Sequence, residues 1–170
     1  MRLALPVLLL AAAVTAVAAA PAGRGATASA CTGAALDGSF SVVRGSPAAG
    51  QITYALVLRN RSRSTCTLGG LPAGTLLGRD GTRLPTRILA APATHRPAPV
   101  PLRPGEAARA AARFSPDVPG VGEQGPGRCE PTARWLRVEG PGGGTVRVRL
   151  SPPTSVCEHG RMFFTGYRRG

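Results

Sequence analysis

Two histidines, four cysteines and eight acidic residues are the groups in this 170-residue chain that could carry catalysis or hold a metal. Acyl transfer needs a nucleophile, a base beside it and a group that orients the base. His95 falls in a proline-rich stretch and His159 lies two positions after Cys157. No Gly-x-Ser-x-Gly occurs, and no lysine is present for amine chemistry. The four cysteines, Cys31, Cys66, Cys129 and Cys157, contain no Cys-x-x-Cys pair, so a zinc framework lacks its ligand spacing. Cys157-Glu158-His159 offers a metal two ligands only when the thiol is free, and two ligands do not make a site. The run Gly142–Gly144 reads as a turn, not a phosphate cradle, because no helical pattern follows it. No catalytic residue, metal or cofactor is expected.

An even cysteine count in an exported chain reads as disulfides. The start of the chain supports export: Arg2, an uncharged apolar run from Leu3 to Ala20, then small residues. A signal peptide over 1–22 and a flexible leader over 23–30 are expected. Cleavage fits either Ala20-Pro21-Ala22 or Ala28-Ser29-Ala30, and an uncleaved anchor is the competing reading of the same run. About 140 residues then remain, enough for one domain. Four cysteines allow three pairings. Cys31–Cys66 and Cys129–Cys157 are preferred because each closes a local loop, a constraint of about 3–4 kcal/mol per bridge.

Gly 23 and Pro 17 argue for short strands and turns. All 21 basic residues are arginine, and with 8 acids the net charge is +13. That charge suits an anionic partner such as an acidic envelope polymer. The arginines are scattered, however, and an Arg-rich, Lys-free composition also arises from coding bias. No specific nucleic-acid binding is expected.

The elements that would position these groups read as follows. Leu36–Val43 gives a strand after an Asp37-Gly38 turn. Ile52, Tyr54, Leu56 and Leu58 then share one face of a central strand, by a period of two. Asn60-Arg61-Ser62 matches a glycosylation acceptor but reads as a polar turn. Gly74–Leu84 is a hairpin with Asp80-Gly81 at its tip. The proline-rich stretch 90–104 runs as an extended surface crossover. Glu106–Phe114 fits helix by propensity and strand by alternation. Pro116–Arg128 reads as a mobile loop around Glu123. Ala133–Val138 and Thr145–Leu150 form a hairpin with Leu136, Val138, Val146, Val148 and Leu150 inward. That register puts Trp135, Arg137, Arg147 and Arg149 on one outer face, where an indole with arginines can engage rings and anions. The same four residues also read as an ordinary solvated face, with arginine stems over the indole. Met162–Thr165 closes as a strand before a basic tail, 167–170.

Leu56-x-Leu58-x-Asn60, Cys66-Thr67-Leu68-x-Gly70-x-Pro72, the Asp80-Gly81 hairpin, Pro104-Gly105-x-x-Ala108, Cys129 and Cys157 form a recognisable series. It resembles a family of secreted or lipid-anchored actinobacterial proteins known only as a domain of unknown function (DUF4232-like), over about residues 31–166. The resemblance implies an immunoglobulin-like β-sandwich with two disulfides, and a strand over 106–114. It brings no activity, cofactor or site residue. Many members look like lipoproteins, whereas here Cys31 lies far beyond the apolar run and has no leucine three positions earlier.

The reading is therefore an all-β, immunoglobulin-like β-sandwich of short antiparallel strands over 31–166, with two disulfides and a preceding signal peptide. Its expected role is that of a secreted, monomeric, non-catalytic binding or interaction module of the cell envelope, with an anionic envelope component or another protein as partner. An envelope spacer and a hydrolytic enzyme are the alternatives, as is surface attachment through an uncleaved signal or a lipid on Cys31.

Overall fold

In a computed structural model, the alternation of Ile52–Asn60 becomes a central strand whose inward side chains organise everything around it. The structure describes residues 28–47, 50–92, 94, 98–116, 118–123, 129 and 131–170. The signal segment, most of the leader, His95 and much of the 116–128 loop therefore lie outside the described residues.

The strands are β1 (Leu36–Val42), β2 (Ile52–Asn60), β3 (Cys66–Leu68), β4 (Gly74–Leu77), β5 (Arg87–Ala90) and β6 (Val100–Leu102). They continue with β7 (Ala107–Phe114), β8 (Ala133–Glu139), β9 (Thr145–Thr154), β10 (Arg161–Phe164) and β11 (Arg168–Arg169). β2 pairs antiparallel with β1 on one side and β7 on the other. Tyr54, Leu56 and Leu58 are fully buried and stand opposite Ala112, Ala110 and Ala108 of β7. Each large side chain thus meets a small one, which lets the layer close without voids or overlap. The 106–114 segment is a strand because its alternation has this partner to bury against, overriding the helix propensity of alanine.

The protein is all-β, with one hydrogen-bonded path in the order β4-β8-β9-β1-β2-β7-β10-β5, β11 added to β7, and a separate pair β3-β6. Two features depart from a sandwich of purely antiparallel strands. β9 pairs parallel with β1 at Leu150–Ser151, and β5 pairs parallel with β10. The sheet is mixed and nearly closed into a barrel-like form. Both parts of it face one core: the Phe40 ring lies 5.1 Å from Tyr54 and 6.0 Å from Phe164, and Leu76, Leu136, Val148 and Leu150 belong to the same cluster. Burial pushes the Tyr54 hydroxyl above its ordinary value, and that hydroxyl donates to the carbonyl of Pro152 at 2.8 Å.

Several local expectations are corrected by longer-range packing. Asp37-Gly38 lies inside β1, not in a turn before it. Gly38 opposes Leu58, and a Cβ there would stand 2.1 Å from the Val57 carbonyl oxygen. The proline-rich crossover contains β6, whose Val100 and Leu102 bury against β3. The leader's end is bound, since Ser29 accepts from the Thr67 N–H at 2.9 Å. The basic tail also docks: Tyr167 is buried, which raises its hydroxyl pKa, and Arg168–Arg169 pair with β7. Cys31 joins Cys66 and Cys129 joins Cys157, with Cα–Cα distances of 4.9 Å for each. Cys31 is fully buried and its sulfur is committed to the bridge with Cys66.

Asn60 ends β2 and has no exposed surface. Its amide nitrogen donates to the carbonyls of Ser64 (2.8 Å) and Leu102 (2.9 Å), and its Oδ1 accepts from the Ser62 N–H and hydroxyl. The apparent glycosylation acceptor is thus an internal tie between the β2–β3 turn and β6. Asn60→Ala leaves buried backbone groups unpaired and should destabilise by about 1–3 kcal/mol. A denaturant titration of the oxidised protein checks this; a change within error would mean that water replaces the amide there.

Candidate functional site

Two constellations gather polar chemistry. The first is the outer face of the β8–β9 hairpin. Its register sets Trp135 opposite Arg149 and Arg137 opposite Arg147, while Leu136, Val138, Val148 and Leu150 are buried on the other face. Residues directly opposite in an antiparallel ladder share a face, so these four make one patch. The Arg147 guanidinium carbon lies 4.3 Å from the Trp135 ring centroid and that of Arg149 lies 6.0 Å from it. Stacking of this kind is worth about 0.5–1 kcal/mol at an exposed site. From the other side Leu77 of β4 opposes Trp135 and is only 5% exposed, so the indole shields an outward leucine. The adjacent pair Leu76-Leu77, both buried, was the sequence signal for that apolar footing.

Among the described residues, no carboxylate comes within ion-pair distance of Arg137, Arg147 or Arg149. Like charges directly across a ladder are destabilising. Arg147 is partly offset by the indole, whereas Arg137 opposes it with no counter-charge.

The second constellation surrounds Cys129–Cys157. Glu158 and His159 have φ of 56° and 55°, and Gly160 continues at 72°. Two non-glycine residues in succession in the left-handed region carry a steric cost of roughly 1–2 kcal/mol each. A carboxylate holds them there. Glu123, with a side chain 3% exposed, accepts from the N–H groups of Glu158 (2.7 Å) and His159 (2.6 Å), and also from that of Gly120. Successive backbone N–H groups in such a turn form an anion-binding concavity, and here the anion is internal. The His159 ring places Nδ1 3.6 Å from Glu123 Oε1 and Nε2 3.1 Å from the Val121 carbonyl. Burial opposes ionisation of Glu123, but the three N–H groups and the neighbouring histidine outweigh it and hold the carboxyl below its usual range.

A cleft of about 480 Å³ opens beside this turn, lined by Arg87, Pro119, Gly120, Val121, Glu158, His159 and Arg161. Among the described residues no serine or threonine lines it. Arg161 is paired with Glu158, and Glu123 is engaged by backbone donors, so the carboxylate beside His159 serves as a clasp. Glu123 and the sulfurs of Cys129 and Cys157 lie within 4.8 Å of one another, but both sulfurs are committed to the disulfide. Sequence reasoning placed His159 near a bridge and missed Glu123 as its partner, since 36 residues separate the two. Asp80 has a comparable local duty: the Thr82 hydroxyl and N–H hold its carboxyl low at the hairpin tip.

The family described as Domain of unknown function (DUF4232) matches residues 31–165 of the chain. No curated protein and no solved structure matches it.

Because the folded-state pKa of Glu123 is depressed, its contribution is complete above the carboxyl's unfolded value of about 4.5 and is lost as pH falls through the lower folded value. Glu123→Gln should therefore lower the melting temperature at neutral pH, and its deficit against the parent should shrink as pH falls below about 4. Circular-dichroism melts across that range check the sign; a deficit independent of pH would assign the loss to packing.

Proposed function

We propose, from the premise that this chain belongs to the family known as DUF4232, that it is an exported binding module of the cell envelope that engages an anionic partner. Its fold is read as a variant of the immunoglobulin-like sandwich in which β9 joins the two sheets instead of leaving them separate. Two disulfides fit an oxidising compartment, and the apolar run that follows Arg2 fits export from an actinobacterial cell. Among the described residues no helix is long and apolar enough to cross a membrane.

The observation that carries the binding role is the register of Arg137 directly against Arg147, beside Trp135 and Arg149, with no described carboxylate to neutralise them. An oxyanion placed between the opposed guanidiniums replaces a repulsion with charge-assisted hydrogen bonds. The indole gives the same patch a surface for a ring or carbon chain.

The chain has one tryptophan, so its fluorescence reports this patch alone. Titration with a soluble phosphate-rich envelope polymer should shift the Trp135 emission, and Arg137→Ala with Arg149→Ala should abolish the shift while the melting temperature stays near that of the parent. A shift that survives both substitutions removes the patch from the binding role. Intact mass of the secreted protein without reduction tests the export reading. The expected species is lipid-free, begins within residues 23–31 and is four hydrogen atoms lighter than the reduced form; a diacylglyceryl mass on Cys31 would place the protein on the membrane instead.

A further inference from the structure

The outer face of β7, separated from β9 in the sheet by β1 and β2, carries a second arrangement of arginines, built differently. On the outer face of β7, Arg109 and Arg113 are exposed, with Ala111 half-buried between them. Successive residues on one face of a strand stand two positions apart, so the two arginines are separated by about 13 Å along the strand. Across the ladder, Ala111 opposes Ala55 of β2, and Ala55 opposes Ser41 of β1. A row of small side chains therefore crosses the sheet with a guanidinium on either bank.

On the far side of β7 the pairing is interrupted. Phe164 opposes Ala112 and Arg168 opposes Arg109, so four steps along the chain from β10 to β11 meet three along β7. The extra residue is a bulge, a device that re-aims side chains at the edge of a sheet. Thr165 stays bound to Ala111 through both its hydroxyl and its backbone, Tyr167 turns inward, and Arg168 is left outside, directly opposite Arg109. Two clefts result, and both are lined by Ala111. One, of about 290 Å³, is walled by Arg109, Arg168 and Arg169. The other, of about 370 Å³, is walled by Arg113 together with the apolar surfaces of Phe163 and Pro92. Arg169 lies 3.9 Å from Glu106; among the described residues Arg109, Arg113 and Arg168 have no carboxylate within ion-pair distance.

We propose that this groove is a second binding site, for an extended phosphodiester-linked chain of polyol or sugar units. The phosphates sit between Arg109 and Arg168 and beside Arg113, and the carbon units lie against Phe163 and Pro92 over the Ala111 floor. Guanidinium forks match phosphate oxygens, and the alternation of charged and apolar walls matches a polymer that alternates phosphate with carbon. A lipid surface is a poorer match, because it needs apolar side chains to insert. Of the exposed large hydrophobics among the described residues, Val43, Leu71, Val118 and Val121, none lines either cleft, and Val43 alone borders the groove, where its N–H donates to the carbonyl of Thr53. The site shares only the sign of its charge with the Trp135 patch and uses none of its residues.

Isothermal titration of the oxidised protein with poly(glycerol phosphate) tests the proposal. Arg109→Ala with Arg168→Ala should weaken binding about tenfold or more and flatten the salt dependence by about two counter-ions. Arg63→Ala with Arg79→Ala removes the same charge from exposed turns that line neither cleft and should weaken it less than about threefold. Equal losses from the two pairs would mean diffuse attraction and overturn the site. Arg109→Lys with Arg168→Lys keeps the charge and the fold but not the forks, and should recover only part of the affinity. Phe163→Ala should weaken poly(glycerol phosphate) while leaving inorganic polyphosphate unchanged. Equal effects on both, or single-stranded DNA or phosphatidylglycerol vesicles competing as well as the polyol phosphate, would overturn the ligand class. The Trp135 emission is read separately, so failure of this groove and failure of the hairpin patch are distinguishable.

Discussion

β9 is the constraint on which the rest of the structure depends. It lies between β8 and β1 and is the hydrogen-bonded link between β4–β8 and the larger group built on β2. Its first half pairs with β8 up to Trp135↔Arg149, and its next two residues, Leu150 and Ser151, pair with β1. The β8 register resumes only at Ala133↔Thr154, so Pro152 and Pro153 fall where β8 makes no ladder demand on their missing N–H groups. Leu150 reaches the core opposite Phe40, and the Pro152 carbonyl accepts the Tyr54 hydroxyl. One strand thus brings an aromatic cluster and an aliphatic layer into a single core, which a domain of this size needs for stability.

Backbone contact too close for side chains completes the closure at one end. A Cβ on Gly33 would lie 2.3 Å from the Thr145 nitrogen, and one on Gly140 would lie 2.3 Å from the nitrogen of Gly33. Gly33 donates to the Gly143 carbonyl, and Gly142 donates to that of Cys31. The glycine-rich turn between β8 and β9 therefore docks on the residues beside the Cys31–Cys66 bridge. That bridge fastens the same segment to β3, so the disulfide and the close turn act on one piece of chain. Closing a loop with a sequence separation of 35 is worth about 4 kcal/mol in the chain-entropy account, comparable to a large part of a small domain's net stability.

What the sequence made legible is what short-range chemistry decides. The alternation of β2, the β8–β9 hairpin with its outward arginines, and the Asp80-Gly81 tip all follow from a period of two and from turn-forming residues within a few positions. The parallel pairs β1–β9 and β5–β10 join segments about 70 to 110 residues apart, and no local pattern encodes which edges meet. β6 was hidden by its prolines because its partner is a three-residue strand elsewhere. Asp37-Gly38 has turn chemistry, but Gly38 is required by the nearness of Val57. Of the polar constellations, the Trp135 patch could be drawn from the hairpin register alone. The Glu123 clasp and the Ala111 groove depend on a bulge and on a left-handed turn that only the assembled sheet positions.

The acidic residues explain why the arginine faces have no counter-charge among the described residues. Asp80 is held by Thr82, Glu106 accepts from the Arg103 N–H, Glu123 is clasped by three backbone donors, and Glu158 pairs with Arg161. Each of these carboxylates secures a turn or a loop within a few ångströms of its own backbone. With 21 arginines to 8 acids, too few acids remain to neutralise the two sheet faces from within the chain. The interior cannot take the excess either, since the inward positions of β7 and β9 are filled by alanines, Phe114, Val148 and Leu150. Register then forces the surplus into opposed pairs, Arg137 against Arg147 and Arg109 against Arg168, on surfaces where water and salt screen the repulsion only in part. The proposed binding of an external polyanion rests on that electrostatic imbalance.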